Sequence, residues 1–111
     1  MGNREEHARA EFAAERLLDH DGRWRALVRD LVARWPEADP LDLVLTLVDA
    51  AAAIEHTFAA GSHAREGAAH GYRLAALLAL DLHAMQRLGM RSTAASDLVA
   101  YWQIDNYFLR L

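Results

Sequence analysis

Three histidines recur at a seven-residue interval, and their spacing is the one pattern in this chain that could support chemistry. His56, His63 and His70 fall on either side of Gly61-Ser62, a pair typical of a helix stop followed by a helix start. The pattern therefore places the three imidazoles on two helices, at the closed end of a hairpin. Imidazoles in such an arrangement can share a proton, a metal ion or another ligand.

A nearby glutamate adds a carboxylate to this histidine pattern. First-row transition metals are commonly bound by two or three imidazoles together with a carboxylate. The same histidines also have a plainer interpretation as solvated side chains near helix ends, each with a single hydrogen bond. The Glu-x-x-His pairs of ferritin-like di-iron bundles are absent. The candidate ligands of one divalent transition metal are His56, His63, Glu66 and His70.

The segment from His56 to Ser62 resembles the phosphoacceptor segment of histidine phosphotransfer domains, in which an exposed histidine lies on a helical hairpin. The resemblance implies that His56 accepts a phosphoryl group within a helical bundle. That family has a lysine shortly after the histidine, followed by glycine, whereas this chain has alanine there and contains no lysine. Since no lysine offsets the charge of a phosphorylated ring, the resemblance implies a degenerate member at most.

His20-Asp21 is a second candidate motif, because metal-dependent HD phosphohydrolases use this dipeptide on an all-helical fold. Those enzymes need a further histidine and a further aspartate, within a larger helical core than this chain length suggests. The alternative is that Asp19 to Gly22 forms a kink or turn, which aspartate and glycine favour locally. The chain also has no Gly-x-Ser-x-Gly elbow and no phosphate-binding glycine loop, so nucleophilic catalysis and nucleotide binding have no support.

The elements that must position these residues are predicted to be helices. No segment alternates with period two, and Thr, Val and Ile are scarce beside Ala and Leu, so strands are not expected. The sequence predicts an all-α fold, an antiparallel four-helix bundle in a single domain spanning residues 1–111. The predicted helices are a first one that runs to Trp35 and is either kinked or split near Asp19-Gly22, a second from Leu41 to Phe58, a third from Ser62 to Leu88, and a fourth from Ser92 or Ser96 to the end.

Two signals fix the predicted boundaries most clearly. Asp39-Pro40 puts a capping carboxylate before a proline at the first helical position. Gly89 is the expected left-handed stop of the third helix. Within that helix Asp81 interrupts the apolar stripe, so we predict a buried polar group there, with Arg73 or Arg87 among its potential partners.

The last predicted helix is apolar almost all round. Because one face of an outer helix must meet solvent, a second chain is its natural cover. Aromatic residues are also enriched at protein interfaces. The alternative is that three of the aromatic rings close the bundle while Tyr107 lies half exposed. The candidate interface residues are Tyr101, Trp102, Ile104, Tyr107 and Phe108.

Composition narrows the classes of function. The chain has 111 residues and a net charge of -4, and all its basic residues are arginines, which argues against non-specific nucleic-acid binding. It has no cysteine, which removes disulfides and thiolate chemistry. The most apolar stretch, residues 41–58, carries three acidic residues and predicts a buried helix rather than a membrane span. Residues 1–10 are charged and precede no apolar signal segment, so the cytoplasm is the expected location.

These observations leave two hypotheses. The leading one is a small helical interaction or regulatory module that forms homodimers or binds a protein partner, without a cofactor and without catalysis of its own. The alternative is a metal- or ligand-binding histidine bundle that uses the mouth of the hairpin and one divalent transition metal. The first requires exposed terminal aromatic residues, and the second requires His56 and His70 to converge.

Overall fold

A computed structural model describes residues 2–111, and the side chains of residues 4–111 within that range. All regular elements in this range are helices, so the predicted all-α class is confirmed. The elements are α1 (Gly2–Leu18), a 3₁₀ turn (Arg23–Ala26), α2 (Leu27–Arg34), α3 (Pro40–Thr57), α4 (His63–Arg87), α5 (Asp97–Tyr101) and α6 (Tyr107–Arg110).

The predicted capping residues set the ends of the two longest helices. The Asp39 side chain accepts a hydrogen bond from the Leu41 amide at 2.9 Å and begins α3. The Ser62 hydroxyl accepts from the Arg65 amide at 3.3 Å and begins α4. Gly89 follows α4 with a φ of 70°, the left-handed conformation that glycine adopts readily. Both helices therefore begin and end close to the predicted residues.

The first predicted helix is split rather than kinked. Asp19 accepts a hydrogen bond from the Asp21 amide at 2.7 Å and another from Arg23 at 2.9 Å. Gly22 then takes a φ of 75° before the 3₁₀ turn. The turn interpretation of Asp19 to Gly22 is thus confirmed, because these side chains stabilise a reversal of the backbone.

Helices α3 and α4 form an antiparallel hairpin. Near its closed end, the Arg65 guanidinium donates to the Phe58 carbonyl at 3.0 Å. Further along, the Tyr72 hydroxyl donates to the Glu55 carboxylate at 3.1 Å. Gly71 lies beside Ala51, so later residues of α4 contact earlier residues of α3, as an antiparallel pair requires.

Two glycines let other helices approach α4 closely. A Cβ at Gly67 would lie 2.6 Å from the Leu17 carbonyl oxygen, and a Cβ at Gly71 would lie 2.8 Å from the Ala51 Cβ. Both distances are shorter than real contacts, so only glycine fits without displacement of a neighbour. The end of α1 is thereby held against the first half of α4, and the turn that follows α1 is brought there with it.

The predicted continuous fourth helix is wrong. Residues 97–111 form two short helices, α5 and α6, which a turn after Trp102 separates. Trp102 and Phe108 are 2% and 1% exposed, and both belong to the main core. The break allows rings at successive positions to point inward, which one straight helix cannot do for residues spread around its circumference. Four helices, α1 to α4, pack together, and the C-terminal segment covers them as two short pieces.

Asp81 is buried, as predicted, but its partner is different. Its Oδ2 accepts a hydrogen bond from Trp102 Nε1 at 3.1 Å, whereas Arg73 and Arg87 are exposed. Burial raises the pKa of Asp81 to about 6; the Trp102 hydrogen bond opposes this rise and the nearby Asp105 carboxylate adds to it. Asp81 therefore anchors the C-terminal segment to α4.

Within residues 2–111, no helix combines the length and apolar character needed to span a bilayer.

Candidate functional site

The histidines come together in a small cavity between the turn after α1 and the first half of α4. We call it the imidazole cavity. Its volume is about 110 Å³. The glycine contact of α4 with the end of α1 positions its two walls. Its lining comprises Leu17, Leu18, Asp19, His20, Gly22 and Trp24 from the first wall, and His63, Glu66, Gly67 and His70 from α4.

Four rings in the imidazole cavity form two stacks. The His20 and His63 rings lie 4.7 Å apart between centroids, with 17° between their planes. The Trp24 and His70 rings lie 3.9 Å apart, with 8° between their planes. The guanidinium of Arg25 also lies over Trp24, 4.8 Å from its centroid. Each stack joins a ring of the turn region to a ring of α4, so the stacks attach this region to the helix.

The polar groups of the cavity are partly satisfied by one another. His63 Nδ1 lies 3.3 Å from Glu66 Oε2, although both side chains are largely exposed. Asp19 pairs with Arg23 at 2.9 Å. Burial lowers the pKa of His70; Glu66 opposes that shift, while the cations Arg25 and Arg73 add to it. These effects favour the neutral form of His70, which suits a ring stacked on indole beside a cation.

The arrangement of the rings decides what they can bind. A metal lies in the plane of each imidazole that it binds, at about 2 Å from the nitrogen. Two planes inclined by only 17° do not meet within that distance, so His20 and His63 cannot share an ion without rotation of one ring. In the part of the chain that the structure describes, no group of three or more His, Cys, Asp or Glu side chains is placed to hold a metal.

The structure brings together three of the four predicted ligands. His63, Glu66 and His70 line the imidazole cavity, whereas His56 is exposed on α3 and is not part of the lining. His83 is also exposed, and lines a separate groove between α3 and α4. His56 is therefore not among the residues that line this cavity, and its part in a metal site stays a prediction. The phosphotransfer interpretation of His56 stays a prediction.

His20 and Trp24 are the members of this cavity that the sequence pattern missed. The sequence pattern singled out His20 only within its dipeptide with Asp21, and it assigned Trp24 to no site. The available signal was Gly67, since a glycine inside a helix is typical of a position that another segment approaches closely. Nothing in the sequence alone identified α1 as the segment that approaches.

The predicted interface residues divide into two groups. Tyr101, Trp102 and Phe108 are buried in the chain's own core, so they are not the uncovered aromatic surface that the sequence predicted. Tyr107 is half-buried and Ile104 is 67% exposed. The alternative interpretation, in which three rings close the bundle and Tyr107 lies half exposed, is the one that the burial pattern matches.

An exposed apolar surface lies elsewhere, on the second half of α4 and on Leu88, the residue that caps the helix. Leu80 and Leu88 are 63% and 59% exposed, and Leu77 and Ala84 are half-buried beside them. Spacings of three, four and four residues keep all four side chains on one face of the helix. We call this surface the α4 leucine stripe: Leu77, Leu80, Ala84 and Leu88.

Comparisons with protein families, with curated proteins and with solved structures gave no match to this chain.

Proposed function

We propose that this chain is a small helical interaction module, built as an antiparallel bundle of α1 to α4, that self-associates through the α4 leucine stripe and has no catalytic chemistry of its own. The observation that carries the proposal is the exposure of Leu80 and Leu88, at 63% and 59%, on one continuous helix face. Single exposed leucines are common on protein surfaces. Two of them on one helix face, together with the half-buried Leu77 and Ala84, form an apolar stripe of the kind by which a helix packs against a partner.

The size of the stripe predicts a weak association. Full burial of a leucine contributes roughly 1.5 to 3 kcal/mol, and a two-fold interface uses each residue twice. The loss of translational and rotational freedom opposes this gain by an estimated ~4 kcal/mol or more. For the two exposed leucines the net gain is centred on ~5 kcal/mol, so we expect a dissociation constant on the order of hundreds of micromolar.

Two exposed arginines lie along the same side of α4 as Leu80. Arg73 and Arg87 precede and follow Leu80 by seven residues each, which keeps them near its face of the helix. In a pair of identical helices these cations approach one another, so their repulsion opposes association. Added salt screens that repulsion and strengthens apolar contacts. We therefore expect the dimer to tighten as the salt concentration rises.

Sedimentation of matched variants tests the proposal. The variant Leu80→Glu/Leu88→Glu places charges in the stripe and is expected to sediment as a monomer. Its control is Leu41→Glu/Leu45→Glu, which changes two leucines of similar exposure, 56% and 51%, on α3. The control is expected to keep the wild-type mass at each concentration.

Three results would contradict self-association through this stripe. One is a wild-type protein that stays monomeric at several hundred micromolar, and another is equal dissociation of both double variants. A third is dissociation by Ile104→Glu alone, since that result would return the interface to the C-terminal segment, where Ile104 is the most exposed of the predicted interface residues.

A second candidate function is the binding of a divalent transition metal at the imidazole cavity. It is favoured by the three imidazoles and two carboxylates that line one small space. His20 and His63 are exposed, so one ring can rotate out of the stack at little cost and present a nitrogen. His20 then takes the place in the ligand set that the sequence assigned to His56.

Titration with Zn²⁺ or Ni²⁺, followed by the histidine ring signals in NMR, tests this second function. Saturable binding should be lost in His20→Ala and in His63→Ala. It should remain in His56→Ala and His83→Ala, because those rings lie outside the cavity. Equal loss in all four variants would indicate unspecific binding by exposed histidines.

The cytoplasmic location and the absence of nucleic-acid binding stay predictions.

A further inference from the structure

A second cavity, between α1 and α3, contains a buried arginine that has no hydrogen-bond or ion-pair partner among the described residues. Arg9 is 5% exposed. Its Nε has no hydrogen-bond partner in the part of the chain that the structure describes. Within the same residues its guanidinium forms no ion pair. A buried charge is unfavourable unless a partner compensates it, so a group that satisfies Arg9 is expected in this cavity.

The space beside Arg9 is large enough for a small molecule. The cavity has a volume of about 150 Å³, whereas a single water occupies about 30 Å³ of the liquid. Buried Thr46 donates its hydroxyl to the Asp42 carbonyl at 2.7 Å, so its oxygen can still accept a hydrogen bond. We call this space the Arg9 cavity; it is lined by Glu6, Arg9, Asp42, Leu45, Thr46 and Asp49.

The charges around the cavity define the chemistry of its ligand. Arg9 needs an anionic group, ideally a carboxylate that matches the fork of the guanidinium. The three carboxylates of the lining, Glu6, Asp42 and Asp49, would repel a simple anion and would attract a cationic group. A simple cation would satisfy these carboxylates but would leave the Arg9 guanidinium without an anionic partner. A molecule that carries both charges a few ångströms apart can pair with Arg9 and with the carboxylates at the same time.

We propose that the Arg9 cavity binds a small zwitterionic amino acid. Its carboxylate pairs with the Arg9 guanidinium, and its ammonium group lies among Glu6, Asp42 and Asp49. The Thr46 hydroxyl oxygen is a further acceptor for the ammonium group. Among the described residues of the lining Leu45 is the one apolar side chain, so the site favours a hydrogen or methyl side chain, as in glycine and alanine.

Three probes of matched size test the proposal. Glycine carries both charges, acetate only the negative one, and methylammonium only the positive one. Amide signals of ¹⁵N-labelled protein around Arg9 and Thr46 are followed at constant ionic strength. Glycine is expected to produce saturable shifts, and each single-charge probe is expected to bind on the order of tenfold more weakly, because it lacks one charge-assisted contact.

Variants then assign the contacts. Arg9→Gln should abolish glycine binding. Asp42→Asn/Asp49→Asn should weaken it and keeps the test open if Arg9→Gln does not fold, since both aspartates are exposed. Glu11→Gln is the control, because that exposed residue of α1 is not part of the lining. Acetate binding as tight as glycine binding would overturn the proposal in favour of an anion site. The absence of saturable shifts with glycine would mean that the cavity holds only water, and would overturn it as well.

Discussion

The two halves of α4 differ in what covers them. The first half carries His63 and His70, and both rings stack on rings from the turn region after α1. The second half carries Leu80 and Leu88, which stay more than half exposed. The histidine rings thus have stacking partners within the chain, although His63 stays largely exposed, whereas Leu80 and Leu88 present apolar surface to solvent. We therefore base the proposed function on the apolar surface rather than on the histidines.

The largest effect is expected at Asp81, in the second half of α4. Its native pKa of about 6 lies above the ordinary value of 3.8, so native protein binds more protons than unfolded protein between these values. The free energy of unfolding should therefore fall as pH rises from about 4 to 6. At ~1.4 kcal/mol per pKa unit, the loss is up to about 3 kcal/mol.

The variant Asp81→Asn checks this effect in urea unfolding at several pH values. The asparagine oxygen can still accept from Trp102 Nε1, so the fold should persist while this part of the pH dependence disappears. Asp105→Asn is the control, because it removes only a neighbouring charge and should retain most of the dependence. An unchanged pH profile in Asp81→Asn would show that Asp81 is not a titrating anchor.

The next largest effect is expected at Gly67, in the first half of α4. An alanine in an open helix stabilises it by about 1 kcal/mol relative to glycine. Here the added Cβ would lie 2.6 Å from the Leu17 carbonyl oxygen, so Gly67→Ala should instead lower stability by about 1–3 kcal/mol. It should also weaken contacts between the His20 and His63 rings, measured as NOEs.

The variant Gly71→Ala distinguishes the loss of stability from the loss of contacts between the His20 and His63 rings. Its Cβ would meet side-chain carbons of Ala51 and Leu17, at 2.8 and 3.0 Å, rather than a backbone oxygen. We expect it to lower stability while the NOEs between His20 and His63 remain, because Gly71 does not line the imidazole cavity. A Gly67→Ala variant that is more stable than the wild type would contradict the close approach of α1.

The smallest effect is expected at the Trp24–His70 stack. Since burial is the main reason for the lowered pKa of His70, Trp24→Ala should raise that pKa toward the ordinary 6.5. Because the native pKa of His70 is lowered, the unfolded chain binds this proton more readily than the native protein does. His70 therefore contributes to the free energy of unfolding above about pH 6.5, and this contribution is lost as the pH falls. NMR titration of the His70 ring checks this, and an unchanged pKa in Trp24→Ala would contradict the stack.

The sequence predicted the parts of this structure that depend on local chemistry. Asp39, Ser62 and Gly89 act through hydrogen bonds and dihedral angles within a few residues, and the helix ends they predict are confirmed. The break between α5 and α6 depends on which rings fit the core, and an apolar composition alone does not distinguish a straight helix from a folded segment.

Only the α4 side of the imidazole cavity was predictable from the sequence. That side depends on helical spacing, whereas the other side depends on a contact between distant residues. The spacing of His63 and His70 placed them on one face of α4, which the cavity lining bears out. The entry of His20 and Trp24 depends on a contact between residues about 50 positions apart, at Leu17 and Gly67. Helical periodicity carries no information about such pairs. The uncovered leucines of α4 likewise became visible only when the positions of the other helices were known.

The most direct measurement of the central claim is an isotope-filtered NOE experiment on a mixture of labelled and unlabelled protein at several hundred micromolar. It detects contacts between copies only. We predict intermolecular NOEs between methyl groups of the α4 leucine stripe, at Leu80 and Leu88 above all. Intermolecular NOEs confined to Leu41, Leu45 or Ile104, or none at that concentration, would contradict self-association through α4.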